Sequence, residues 1–144
     1  MALNTFGAIM GFAGQITGDA LAAYRKALEG VKDPALKEML DALAREEEKN
    51  CALMEQARRE NVTEMILEPV TGLERDDYAL NADPACGTAD ADFLKAALIL
   101  EERAEKFFRE AAARVPLPEV ARIFRKVARK KEGNCTALKS LRLG

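Results

Sequence analysis

Two short runs carry most of the chemistry open to this sequence: Glu48-Lys-Asn-Cys51 and Glu132-Gly-Asn-Cys135. Residues three apart share a helix face, so each run sets a carboxylate beside a thiol. Thiolate is a soft ligand that carries negative charge. Two thiolates with carboxylates drawn from Glu48, Glu101 and Glu132 make a donor set for a single zinc or iron. A second reading needs no metal. Lys131 projects to the middle of the inner stripe, where its ammonium can replace a metal's charge and pair with Glu47, Glu48, Glu101 or Glu132, since a buried carboxylate needs a partner. In a third reading Cys51 and Cys135 form a disulfide or are oxidised by peroxide, which requires Cα atoms within about 7 Å for the bond. All three readings stand at this point.

These residues lie on helices. Apolar residues at helical spacing define four segments, roughly 4–30, 34–61, 89–114 and 118–142, each about 25 residues and near 40 Å long. Helix one gives way at Glu29-Gly30 and helix two begins after Asp33-Pro34. Helix three gives way near Val115-Pro116 and helix four begins at Pro118, so each pair is an antiparallel hairpin. The hairpins cover about 4–61 and 89–142. A connector from about 62 to 88, with Pro69, Gly72, Pro84 and Gly87, is long enough to run the length of a bundle. Asp90 or Thr88 is placed to cap helix three. The expectation is one all-α domain over 1–144, an antiparallel four-helix bundle with a long crossover between helices two and three.

The hairpins match each other without a gap at a shift of 84 residues. Ala20 meets Ala104, Arg25 meets Arg109, Val31 meets Val115, Pro34 meets Pro118, Ala44 meets Ala128, Asn50 meets Asn134 and Cys51 meets Cys135. Shared helix-forming composition would scatter its matches; keeping Pro, Asn and Cys in one register points to duplication. At 100° per residue the inner stripe of helix two is Leu36, Leu40, Leu43, Glu47, Cys51 and Met54, with Glu48 on its flank and Glu46 toward solvent. The shifted stripe is Val120, Phe124, Val127, Lys131, Cys135 and Leu138, flanked by Glu132. Helix three presents Ala97, Leu100, Ala104, Phe107, Phe108 and Ala111 beside Glu101. Helix one presents Ile9, Ala13, Ile16, Ala20, Tyr24 and Ala27, with Thr17 at the place of Glu101.

In this arrangement the chain resembles the ferritin-like two-metal proteins. There a Glu comes from each of two helices and a Glu-x-x-His from each of the other two. The two Glu-x-x-Cys runs stand at the Glu-x-x-His positions. Glu101 with Phe108, and Thr17 with Tyr24, stand on the Glu-x6-Tyr pattern. The likeness is to the rubrerythrin-like branch without its rubredoxin-type iron domain. It implies a di-iron site handling oxygen, peroxide or iron, and an oxidoreductase if the chain is active. Cysteine for both histidines and Thr17 for one glutamate depart from the pattern, so iron, zinc and no metal all remain candidates. Tyr24 is placed to hydrogen-bond a site carboxylate.

Composition excludes other classes. The net charge of -2 is interspersed, which offers no basic face to nucleic acid or anionic lipid. Three cysteines without a CxxC or a close-spaced framework suit a reducing cytoplasm. Cys86 is given no role. The start lacks a basic signal-peptide region, and its apolar run contains Gln15 and Asp19. Gly7, Gly11, Gly14 and Gly18 fall on the outward face of helix one. Each costs roughly 1 kcal/mol against alanine, and close approach of another helix compensates. The expected partner is a second copy, a homodimer through helix one helped by Leu94 and Leu98; the other cover for this face is the connector. Any further protein partner is unspecified by the sequence.

Overall fold

Thr5 opens the first helix, α1 (Phe6–Leu28), its hydroxyl accepting the Ala8 N–H at 3.0 Å. Arg25 and Lys26 sit in the last turn of α1, where their charge suits the helix dipole. Asp33 then caps α2 (Pro34–Glu60) by accepting the Leu36 N–H at 3.0 Å, with Pro34 at the first helical position. The second hairpin is α3 (Asp90–Ala112) and α4 (Pro118–Ser140), again opened by proline. The computed structural model describes residues 3, 5–60, 72–80 and 87–142. Over these residues the chain is an all-α four-helix bundle, as the periodicity predicts, with helix ends within about two residues of the expected ones.

One expected cap is corrected. Asp90 does not cap α3: its carboxylate accepts the N–H groups of Lys32 and Asp33 at 2.9 and 2.8 Å, tying the α1–α2 turn to the start of α3. Asp92 instead reaches back to the Ala89 N–H at 3.2 Å. Because α3 starts beside the turn that opens α2, α2 ends at the far end of the bundle from the α3 start. That end-to-end placement is the one a crossover requires. Of the connector, 61–71 and 81–86, with Pro69, Pro84 and Cys86, lie outside the described residues. The described stretch packs on α1 and α3. Leu3 donates to the Leu73 carbonyl at 2.9 Å, and the Tyr78 ring meets Phe12 and Phe107 with centroids at 6.0 and 5.2 Å.

The core falls into two apolar halves. One holds Phe6, Ile9, Phe12, Ile16, Met54, Phe107, Phe108 and Phe124, with edge-on ring contacts. The other holds Ala20, Tyr24, Leu36, Leu40, Leu43, Leu100 and Leu138. Between them lies a polar layer of Thr17, Glu47, Asn50, Glu101 and Lys131, all buried. Among the described residues no helix is long and apolar enough to cross a membrane.

Candidate functional site

Every helix contributes to the polar layer. From α4, the Lys131 ammonium donates to Glu47 Oε1 of α2 and, at 3.0 Å, to Glu101 Oε2 of α3. From α1, the Tyr24 hydroxyl donates to the same Glu101 oxygen at 2.6 Å, as its place in the sequence suggests. Asn50 donates to Glu47 Oε1 at 2.9 Å, and the Asn134 amide donates to Glu101 Oε1 at 2.7 Å and to Glu46 Oε2 at 2.9 Å. Glu47, Glu101 and Lys131 are each 0% exposed. The layer is a closed hydrogen-bonded cluster rather than an open cup.

The repeat explains its composition. Positions 17 and 101, 24 and 108, 47 and 131, and 50 and 134 are equivalent under the shift of 84, and the first three pairs are buried in both halves. One half supplies glutamate at 47 and the other lysine. One supplies Glu101 and the other Thr17, whose hydroxyl turns back to share its proton between the Ala13 and Gly14 carbonyls at 3.2 and 3.0 Å. Tyr24 and Phe108 differ by the one hydroxyl that Glu101 uses.

The inward pair of motifs is therefore Glu47-x-x-Asn50 and Lys131-x-x-Asn134, one residue earlier than the Glu-x-x-Cys runs. Glu48 lies on the surface in an ion pair with Arg25 at 2.9 Å, and Glu132 is also exposed. A step of one residue turns a helical side chain by about 100°, which separates the flank from the centre. Cys51 is half-buried and lines a cleft of about 240 Å³ between α1 and α2 with Met10, Gly11, Gly14, Thr17 and Met54. Cys135 is buried, and both thiols are free. Glu46, expected to face solvent, is half-buried and joins the cluster through Asn134. The signal for Asn50 and Asn134 was their match under the repeat, which marked them as equivalent without showing that they face inward.

Among the described residues the expected ligands are not brought together around a place for a metal ion. Of the expected ligands Glu48, Cys51, Glu101, Glu132 and Cys135, only Glu101 belongs to the polar layer. Among the described residues no group of three or more cysteine and acidic side chains is placed to hold one. The ammonium of Lys131 stands between the two inner carboxylates, where it supplies the positive charge they need.

The electrostatics follow from burial. Burial pushes the Glu47 carboxyl up, and although the Lys131 contact opposes this, the net direction is upward from its ordinary 4.5. Burial pushes Lys131 down, but Glu101, Glu47 and Glu46 together outweigh it and raise it above 10.5. Tyr24 is raised by burial and then by the Glu101 charge, which keeps the hydroxyl a donor. Burial, followed by Glu101, pushes the Cys135 thiol up to about 11. Glu46 Oε1 and Glu47 Oε2 are buried and accept no hydrogen bond, so the cluster holds more acceptors than donors.

No family model matches the chain, and no curated protein matches it. It is similar to a solved structure of a hypothetical protein from Pyrococcus furiosus, 24% identical over 92% of this chain and 84% of that one, with a TM-score of 0.67. That likeness shows the four-helix fold.

Proposed function

We propose that the chain is a ferritin-like, rubrerythrin-like bundle whose buried acidic centre is held by the Lys131 ammonium in place of metal. It acts through assembly or partner binding rather than through oxygen or peroxide chemistry. The observation that carries this reading is the three-way contact of Lys131 with Glu47 and Glu101, all with no exposure to solvent. The ammonium lies against both inner carboxylates, and a cation entering the same space would meet repulsion from it. Protein purified without chelator is expected to carry no stoichiometric iron or zinc, and its melting temperature is expected not to move on adding zinc or ferrous iron. One equivalent of tightly bound metal in the wild type, retained in Lys131→Met, would overturn the reading.

Assembly as a homodimer through α1 belongs to the same proposal. A Cβ built on Gly11, Gly14 or Gly18 meets nothing within 4 Å, so this face is open among the described residues. The described connector packs instead on the Phe12 and Gln15 side, where Arg75 donates to the side-chain Oε1 of Gln15 at 3.4 Å. Sedimentation of the wild type and of Gly14→Glu tests it: a dimer that the charge splits is expected, and a monomer in both removes the dimer.

A further inference from the structure

A second cleft lies on another side of the bundle, between α2 and α4. It is an open groove of about 730 Å³, within the usual range for a small-molecule site. We infer that this groove binds a medium-chain aliphatic carboxylate, tail along the bundle and head between Lys49 and Lys130.

The placement of the lining residues sets that chemistry. The Glu46–Asn134 hydrogen bond fixes the relative height of the antiparallel walls. Lys49, three residues on from Glu46, and Lys130, four before Asn134, then lie one turn away in the same direction. One lysine stands on each wall at one end of the groove, and neither makes an ion pair among the described residues. In the opposite direction the walls are Ala42, Leu43, Met39 and Ala137, closed by Leu141. The apolar stretch from Ala35 to Ala42 spans about 10 Å.

The other charges do not compete for an anionic head. Glu46 is already engaged by Asn134 and faces Lys131 at 3.7 Å. Arg45 is paired with Asp41 at 3.0 Å, and Glu38 lies toward the apolar end, where it orients an anion's head toward the lysines. A cationic amphiphile would meet two unpaired ammonium groups at the polar end. Charge complementarity therefore selects the carboxylate over the amine.

The inference does not depend on the metal-free reading, since among the described residues neither lysine makes a hydrogen bond or ion pair with the buried cluster. Titration calorimetry at pH 7 with octanoate, decanoate and decylammonium tests it on the full chain. Decanoate is expected to bind at least tenfold more tightly than decylammonium. It should exceed octanoate by about tenfold, the gain of burying two methylenes. The double variant Lys49→Gln, Lys130→Gln should lose at least tenfold for decanoate and nothing for decylammonium. Ala137→Phe, which fills the tail channel from an exposed position, should weaken all three. The inference is overturned by no saturable heat with decanoate, by equal affinity for the two head groups, or by a double variant that binds decanoate unchanged. A wild-type dimer dispersed by Ala137→Phe in sedimentation would also overturn it, because the groove would then belong to a second copy.

Discussion

Lys131 donates to Glu47 from across the bundle, and the two residues occupy the same position of two repeated hairpins, 84 residues apart. In an exact duplicate this position would set like charges against each other: two carboxylates needing a cation, or two ammonium groups needing an anion. Divergence to one of each makes the pair self-neutralising. The third charge, Glu101, has no counterpart because Thr17 stands at its equivalent position, and Tyr24 and Asn134 supply the donors that hold it.

Removing the ammonium should cost more than removing the whole network. Lys131→Met leaves Glu47 and Glu101 buried beside each other without a cation, a loss of about 3–5 kcal/mol at pH 7. Replacing Lys131, Glu47 and Glu101 together by Met, Leu and Leu should be much less costly or stabilising. Urea midpoints of the two variants measure the difference. Equal losses would mean that charge is not what the cluster supplies.

Why the sequence led to the elements and to only part of the centre follows from geometry. Helix ends were legible because Pro34 and Pro118 mark starts and the apolar period is strong over each long segment. The repeat placed Thr17 opposite Glu101 and brought Lys131 to the inner stripe. The same periodicity sets Glu47 on the inner stripe and Glu48 on its flank. The flank position matched the family's Glu-x-x-His spacing to Cys51, and that match favoured the outer residue. What decides is which side of α2 faces the other helices: Glu47 is fully buried and Glu48 pairs with Arg25. Asp90 shows the same limit: the pattern within its own helix points to a cap, while its partners come from the turn of the other hairpin.

The raised Glu47 carboxyl gives stability a specific pH dependence. The folded state holds its proton more tightly than the unfolded chain, so the contribution of this group is largest at low pH. It falls as pH rises from about 4.5 through the higher folded value. Comparing the wild type with Glu47→Gln between pH 4 and 8 isolates it: the wild type should lose ground to the variant as pH rises. A difference that stays flat, or that moves in favour of the wild type, would show that Glu47 is not raised. Lys131 acts in another window, its stabilisation being present below 10.5 and lost as pH rises through its raised folded value.

Tyr24 donates to a fully buried carboxylate at 2.6 Å, and the equivalent position of the other hairpin is Phe108. A phenylalanine therefore fits this kind of site, so Tyr24→Phe removes a hydrogen bond to a charged group without changing shape. The expected loss is about 1.5–3 kcal/mol at neutral pH. It should be smaller in a Glu101→Gln background, where the acceptor is no longer charged. A double-mutant cycle over Tyr24 and Glu101 gives the coupling, and an energy near zero would mean the contact contributes nothing.

The two thiols of the bundle should separate in reactivity although the repeat makes them equivalent. Cys135 is buried and its thiol is pushed up to about 11, which leaves about one molecule in ten thousand as thiolate at pH 7. Cys51 instead lines the cleft between α1 and α2 and is half-buried, because Gly11 and Gly14 leave space beside it. Iodoacetamide on the folded protein, followed by peptide mass mapping, should label Cys51 well before Cys135, and urea should abolish the difference. The same ordering should hold for mild peroxide, with Cys51 oxidised before Cys135. A disulfide joining Cys51 to Cys135 after peroxide would instead restore the thiol-pair reading.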